Sequence, residues 1–184
     1  PFGIKVYELT ESCTHIMEKD KASIDDMYND LLNLGRIFGV EEKANSLVDG
    51  YRLELSKETK NLKSENPLRV FVYDSGEDAP FTAGLYAMPT ALIEAAGGTN
   101  IMDDFKKSWG TVTWEEVIDR NPEVIVIVNY GNVTAEQKRD FMMSNPAFAS
   151  LDAVKNDRFV TLEYVEATPG PRNINAVKTL LKAF

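Results

Sequence analysis

Residues 109–131 read WGTVTWEEVIDRNPEVIVIVNYG, and the order of signals inside this stretch decides the fold. Thr113 and Glu116 have the Thr-x-x-Glu spacing of a capping box, in which a hydroxyl and a carboxylate satisfy amide groups that the first helical turn leaves open. A short helix is predicted to start there. It stops at Asn121-Pro122, because proline disfavours helical geometry at the residue before it. Val124 to Val128 follows as an unbroken apolar run with no polar alternation, the pattern of a parallel strand covered on both faces. The run ends at Asn129-Tyr130-Gly131. In open α/β sheets ligands lie outside the carboxyl ends of strands, which makes Asn129 and Tyr130 candidate ligand contacts.

Outward from this unit the chain keeps alternating. Downstream of Asn66-Pro67, Leu68 to Tyr73 is predicted as a buried strand and Pro89 to Ala96 as a short helix closed by Gly97-Gly98. Thr134-x-x-Gln137 caps a helix to about Ser144, Leu151 to Val154 forms a turn of helix, Arg158 to Leu162 a strand, and Ile174 to Phe184 a terminal helix. Alternation of this kind implies an α/β fold: a three-layer, Rossmann-like unit around a mostly parallel sheet.

The upstream third is largely helical. Ser23-Ile24-Asp25-Asp26 makes a capped start, and Ile24, Met27, Leu31, Leu34, Ile37 and Phe38 keep helical spacing to a break near Gly39. A second helix is predicted from Glu41 to about Lys63, with Ala44, Leu47, Val48, Tyr51, Leu55 and Leu62 on its apolar side. At about 1.5 Å per residue it would be roughly 35 Å long, enough to link two lobes or to lie as a long surface helix. Ile4 to Leu9 has a strand pattern. Pro1-Phe2-Gly3 precedes it with no initiator Met and no signal-like apolar segment, so the chain reads as cut from something longer, and any signal peptide or lipid anchor would lie upstream.

Composition narrows the function classes. The 184 residues are 43% apolar and 27% charged, the profile of a globular protein with one good core. With 29 acidic and 20 basic side chains the net charge is -9. No Lys/Arg cluster is interleaved with aromatics, which argues against nucleic acid as a partner. Cys13 is the single cysteine, and no internal disulfide can form.

Two long irregular segments follow predicted strands: residues 74–84, which contain Phe81, and residues 163–172, which contain Tyr164 and Arg172. With Trp109 and the Asn129-Tyr130 turn they would line one rim, provided the strands are parallel neighbours. Trp109 is equally suited to a core position. Arg172 precedes the terminal helix, where a cation is poorly placed in the helix dipole unless an anion lies nearby.

Enzyme templates find little purchase. No Gly-x-Gly-x-x-Gly follows a strand, and neither a Gly-x-x-x-x-Gly-Lys-Ser/Thr loop nor a Gly-x-Ser-x-Gly elbow occurs. Cys13-x-His15 offers two soft ligands where a closed metal site needs about four. Glu115 and Glu116 are neighbours on a helix, so their carboxylates point apart. No catalytic residue and no metal ligand is assigned. An α/β enzyme domain such as a nucleotide-sugar transferase lobe, and a ligand-free sensor or structural lobe, stand as alternatives from other classes.

Several motifs recur in a familiar order: Leu34-Gly35-Arg36-Ile37-Phe38-Gly39, Ala95-Ala96-Gly97-Gly98-Thr99-Asn100-Ile101, Trp109 to Val128 with Asn121-Pro122-Glu123, Ala153-Val154-Lys155-Asn156-Asp157-Arg158, and Pro169-Gly170-Pro171-Arg172. Together they closely resemble the ABC-transporter solute-binding proteins for iron-siderophore complexes, haem and cobalamin, over nearly the whole chain. The resemblance implies two α/β lobes joined by one long rigid helix, with ligand held between them. On that template residues 1–40 are the end of the amino-terminal lobe, 41–65 the connecting helix and 66–184 the carboxyl-terminal lobe, so that only half of the cleft is present.

The resemblance also implies roles. Trp109 matches a tryptophan that a cobalamin-binding relative places against its ligand, and Glu115 matches an exposed glutamate that docks onto permease arginines. Arg172 matches an arginine near the cleft; Tyr164 stands where some relatives place an acidic ligand contact. The expectation is an extracytoplasmic, monomeric binding subunit, periplasmic or anchored as a lipoprotein. It would use no cofactor, and its partners would be a small-molecule metal chelate (an iron-siderophore complex, haem or cobalamin) and a membrane permease. The expected ligand residues are Phe81, Trp109, Asn129, Tyr130, Tyr164 and Arg172.

Overall fold

A computed structural model of the chain describes residues 3–15, 18–60, 62 and 66–184. Its centre is a sheet of four parallel strands: β1 (Leu68–Tyr73), β3 (Gly98–Asn100), β5 (Val124–Asn129) and β6 (Phe159–Glu163), in the order β3-β1-β5-β6. In the ladder Val70 lies opposite Val124, and Ile125 opposite Phe159. Two further strands, β2 (Phe81–Ala83) and β4 (Trp109–Thr111), form a separate antiparallel ribbon.

The strand period of two divides the apolar run into two cores. Val70, Val72, Val124, Val126 and Val128 face one layer, with Leu92, Ile93, Val177 and Leu180. That layer is built from α1 (Ile24–Phe38), α2 (Glu41–Glu58), α3 (Met88–Ala95) and α8 (Asn173–Ala183). Phe71, Tyr73, Ile125 and Ile127 face the opposite layer, with Trp114, Val117, Met142, Phe148 and Leu151. Here α4 (Trp114–Arg120), α5 (Ala135–Ser144) and α6 (Asp152–Lys155) provide the cover. Apolar residues on both faces explain why β5 shows no polar alternation. The three-layer α/β architecture with a mostly parallel sheet is thus the one the alternation implies.

Trp114 organises the second core. It is 9% exposed, meets the rings of Phe71, Tyr73, Phe141 and Phe148 at centroid distances of 4.5–6.1 Å, and donates its indole N–H to the Glu77 carbonyl at 2.7 Å. Nearby, burial pushes the Tyr73 phenol up to about 12, so it stays neutral.

Helix ends follow local chemistry. Ser23 and Asp26 close a complete capping box on α1, and Gly39 ends it at φ 67. Thr134 and Gln137 do the same for α5. At α4 only half the expected box forms. The Thr113 hydroxyl accepts from the Glu116 amide, while the Glu116 carboxylate turns to Arg120 at 2.6 Å. Asn121 ends α4 in the left-handed region, φ 42.

Three expectations need correction. Ile4 to Leu9 forms no strand: no other strand among the described residues lies beside it to take its hydrogen bonds, and Ile4 and Val6 are exposed. The segment is tied down instead by Asp30, which accepts from the Tyr7 hydroxyl at 2.7 Å and from the Thr10 amide and hydroxyl, ahead of a 3-10 helix at Thr10–His15. The second long helix ends at Glu58. The Thr59 hydroxyl bonds back to the Leu55 carbonyl at 2.9 Å, and the Leu62 side chain packs over Gly97. Lys63 lies outside the described residues. As built, α2 is about 27 Å long and packs on α1 and α8, a layer of this unit. Finally, the two long irregular segments are not loops throughout: the first contains β2, and the second opens with α7 (Tyr164–Ala167).

Candidate functional site

The carboxyl ends of β1, β5 and β6 converge on a cavity of about 300 Å³, lined by Asp74, Phe81, Trp109, Val128, Tyr130, Tyr164, Ala167 and Thr168. Each strand supplies a residue at or just past its end: Asp74 after β1, Tyr130 after β5, Tyr164 after β6. The ribbon β2–β4 closes the remaining side. This is the crevice in which open parallel sheets receive small molecules.

Two aromatic pairs shape the cavity. In the ribbon, Phe81 pairs with Thr111 and Ala83 with Trp109. Phe81 and Trp109 are therefore diagonal neighbours on one face, and their rings stack at 6.0 Å with 12° between planes. Tyr130 and Tyr164 stack at 4.5 Å with 25° between planes. Tyr130 is 53% and Tyr164 46% exposed, so these flat faces meet solvent. Trp109 sits in a strand, half-buried, with its inner edge against the valine-rich core.

Close approaches hold the ribbon in place. Gly84 follows β2, where a Cβ would come within 2.5 Å of the Phe105 and Lys107 carbonyls. Thr82, fully buried, donates its hydroxyl to the Val72 carbonyl at 2.6 Å and fastens the ribbon to β1. Glu11, also buried, accepts from the Met88 amide at 3.0 Å and the Ser108 hydroxyl at 3.2 Å, joining the amino-terminal segment to the start of α3 and to the residue before Trp109.

The strand ends are braced as well. The Asn129 amide donates to both Glu163 oxygens at 3.0 and 3.1 Å, and its oxygen accepts from the Ala135 amide at 3.3 Å. Asn129 thus ties β5, β6 and α5 together and does not line the cavity. Lys138, on α5 and 2% exposed, donates its ammonium to the Val128 carbonyl at 2.7 Å and the Tyr130 carbonyl at 3.1 Å. Burial pushes its pKa down, and the negative charge of Asp74 pulls it partly back. Asn173, fully buried, accepts from the Gly170 amide and donates to the Glu166 and Thr168 carbonyls, which sets the path of the segment after α7.

Of the residues singled out in the sequence, Phe81, Trp109, Tyr130 and Tyr164 come together on this cavity. Arg172 stands exposed at the start of α8, away from the lining. Glu115 is exposed on the first turn of α4. The Cys13 thiol is buried against the Glu8 and Leu9 carbonyls, and His15 lies 3.4 Å from the Glu8 carboxylate. Asp74 and Lys138 escaped the sequence reading. Asp74 was one acid in an acidic loop, and Lys138 fell on a helix that looked polar. A second cavity, about 940 Å³, shares Trp109 and is otherwise polar, with Lys19, Lys106 and Lys107 beside Glu18 and Asp20. The aromatic cavity is the one that the strand ends of the parallel sheet position.

Comparison with known proteins gives this geometry a context. The sequence profile of the periplasmic binding protein family matches residues 3–166. A periplasmic binding protein from Veillonella parvula of known structure is 34% identical, with a TM-score of 0.82 over 89% of this chain and 57% of its own. An Fe3+-hydroxamate transport system protein from Saccharomonospora viridis, 24% identical, shares the fold with a TM-score of 0.79, again over 89% of this chain and 57% of its own. An uncharacterised ABC transporter substrate-binding lipoprotein of Bacillus subtilis is 24% identical over 93% of this chain and 54% of its own length. The chain thus spans about half the length of these relatives. They are solute-binding proteins, not enzymes.

Proposed function

The chain belongs to the periplasmic binding protein family, and on that premise we propose that it forms one wall of the ligand cleft in the substrate-binding subunit of an ABC importer. The observation that carries this reading is the pair of stacked aromatic couples, Phe81–Trp109 and Tyr130–Tyr164, at the carboxyl ends of three parallel strands. Flat, rigid faces suit a macrocycle or a chelate ring at small entropic cost. The ligand class is an iron-siderophore complex, haem or cobalamin. Among the relatives, one from Yersinia pestis is a vitamin B12-binding protein, 27% identical over 61% of this chain and 40% of its own length. No cofactor takes part.

The function is capture followed by hand-over to a membrane permease. Glu115, exposed at the dipole-favoured end of α4, is the proposed docking residue. Arg172 and Asn129 serve the same cleft from its margin, Asn129 by holding β5 to β6. In domain terms, residues 1–40 are the close of a first lobe, 41–65 the link and 66–184 the second lobe. The location is extracytoplasmic, periplasmic or lipid-anchored, and the subunit works as a monomer. Among the described residues no helix is long and apolar enough to cross a membrane.

Titration of the full-length protein with ferric siderophores, haem and cobalamin, followed by tryptophan fluorescence, tests the reading. The response lost in Trp109→Phe is the part that this wall reports. Saturable quenching by one class is expected, and a flat response to all three classes would sink the proposal.

A further inference from the structure

We infer that the aromatic cavity selects a cationic, hydrogen-bond-donating group on the cargo, with Asp74 as the residue that sets this preference. The inference rests on the proposed cleft and adds the charge of the group that enters it.

Asp74 is 8% exposed, and its carboxylate lines the cavity. Among the described residues, its side chain has one hydrogen-bond partner, the Ser75 hydroxyl, which donates to Oδ2 at 2.9 Å. Its backbone amide is spent on the Phe81 carbonyl. No Lys or Arg nitrogen among the described residues lies within ion-pair distance. The charge of Asp74 is felt by Lys138, but that ammonium is committed to the Val128 and Tyr130 carbonyls and does not line the cavity. A largely buried carboxylate without an ion pair is costly, and a cationic ligand would offset that cost.

The walls act with the same sign. The π faces of Phe81, Trp109, Tyr130 and Tyr164 are electron-rich and attract an ammonium or guanidinium lying over them. Carboxylate and rings together disfavour an anionic group such as a propionate or a catecholate. Size adds a limit: about 300 Å³ lies at the low end for ligand pockets, so this cavity takes an arm or edge of the cargo and leaves its body outside. The lysines near Trp109, Lys106 and Lys107, face the neighbouring polar cavity.

Two probe pairs test this on the full chain. Pentylammonium against 1-pentanol isolates the arm, read by NMR shifts of the Trp109 indole and the Tyr130 and Tyr164 rings. Ferrioxamine B, a ferric trihydroxamate with one free ammonium, against its N-acetylated form isolates the same charge on a complete cargo, read by fluorescence. Saturable shifts with pentylammonium and none with pentanol are expected, as is a preference of about tenfold for the amine form. In Asp74→Asn, which keeps an oxygen for the Ser75 hydroxyl, both preferences should fall to within about twofold while the melting temperature holds. Tyr164→Leu, at an exposed ring, should weaken pentylammonium binding about threefold and serves if Asp74→Asn is unstable. Equal shifts from pentanol, no shifts at all, equal affinity for the acetylated complex, or a preference that survives Asp74→Asn would each overturn the inference. If pentylammonium binds through Asp74 but no ferric complex or tetrapyrrole binds, the charge selection stands and the proposed cargo class fails.

Discussion

Trp109 and Trp114 lie on either side of one short turn and meet opposite surroundings. Trp114 is closed in by four rings and spends its N–H on the Glu77 carbonyl. Trp109 rests half-buried on Phe81, with its other side open to a cavity. What separates them is backbone: β4 presents Trp109 on one face of a ribbon, and the helix that Thr113 caps at once turns Trp114 inward. Two residues of one type, close in sequence, thus divide between stability and recognition.

The comparison breaks most sharply through stability. Trp114→Ala is expected to cost about 3–5 kcal/mol, since it opens a cavity among aromatic neighbours that cannot collapse. Denaturant unfolding measures it. A loss below about 1 kcal/mol would mean that Trp114 is not the anchor of the second core.

Lys138 lies between the two behaviours, a core residue that shapes the rim. Lys138→Met keeps the volume but leaves the Val128 and Tyr130 carbonyls without their donor, for an expected cost of about 1–2 kcal/mol. The pH dependence carries a sign. Burial lowers the Lys138 pKa below its ordinary 10.5. Between the lowered value and the ordinary one, the unfolded chain therefore binds more protons than the folded one, and this contribution to stability rises with pH. Subtracting the variant's stability curve from that of the parent chain isolates the term, and a difference that falls across that window would contradict it.

Trp109→Ala should give the converse of Trp114→Ala. Trp109 is only half-buried and loses less packing than Trp114, with about 0.5–1.5 kcal/mol for the stacked pair on top, so thermal unfolding should shift clearly less. Affinity for the cargo should drop about tenfold, as for an aromatic anchor removed from a cleft. If stability falls as far as it does for Trp114→Ala, then Trp109 is core and the division fails.

How far these environments could be read in advance depended on how local their causes are. The caps at Ser23, Thr113 and Thr134, the stop at Asn121 and the buried run of β5 are each set by neighbouring residues, and all were legible in the sequence. The ribbon was not. Three residues carry too little periodicity, and the pairing of Phe81 with Thr111 spans a helix and a strand. Tyr130 and Tyr164 reached the cavity because strand ends converge in any open parallel sheet, whereas Phe81 and Trp109 reached it on the ribbon. Asp74 and Lys138 stayed hidden for a physical reason. Charged residues read as solvent-facing by default, and each is buried by contacts the sequence cannot state: Asp74 under the returning ribbon, Lys138 by reaching to strand carbonyls. The α2 boundary failed likewise, since the apolar spacing continued to Leu62, past the C-cap at Thr59.

A second pair of neighbours extends the comparison to the surface. Glu116 is held by Arg120, which also clamps Asp104 at 2.6 and 3.0 Å and holds its carboxyl below the usual range. Glu115 stands exposed, with no hydrogen bond or ion pair among the described residues. Its removal should therefore leave stability within about 0.5 kcal/mol and ligand affinity unchanged. The one measurable loss should be delivery, read as reduced uptake when the full-length protein carrying Glu115→Ala is added to vesicles holding its permease. Glu116→Gln should do the reverse, weakening the Arg120 clamp slightly and sparing uptake. Equal uptake by both variants would remove Glu115 from the docking role.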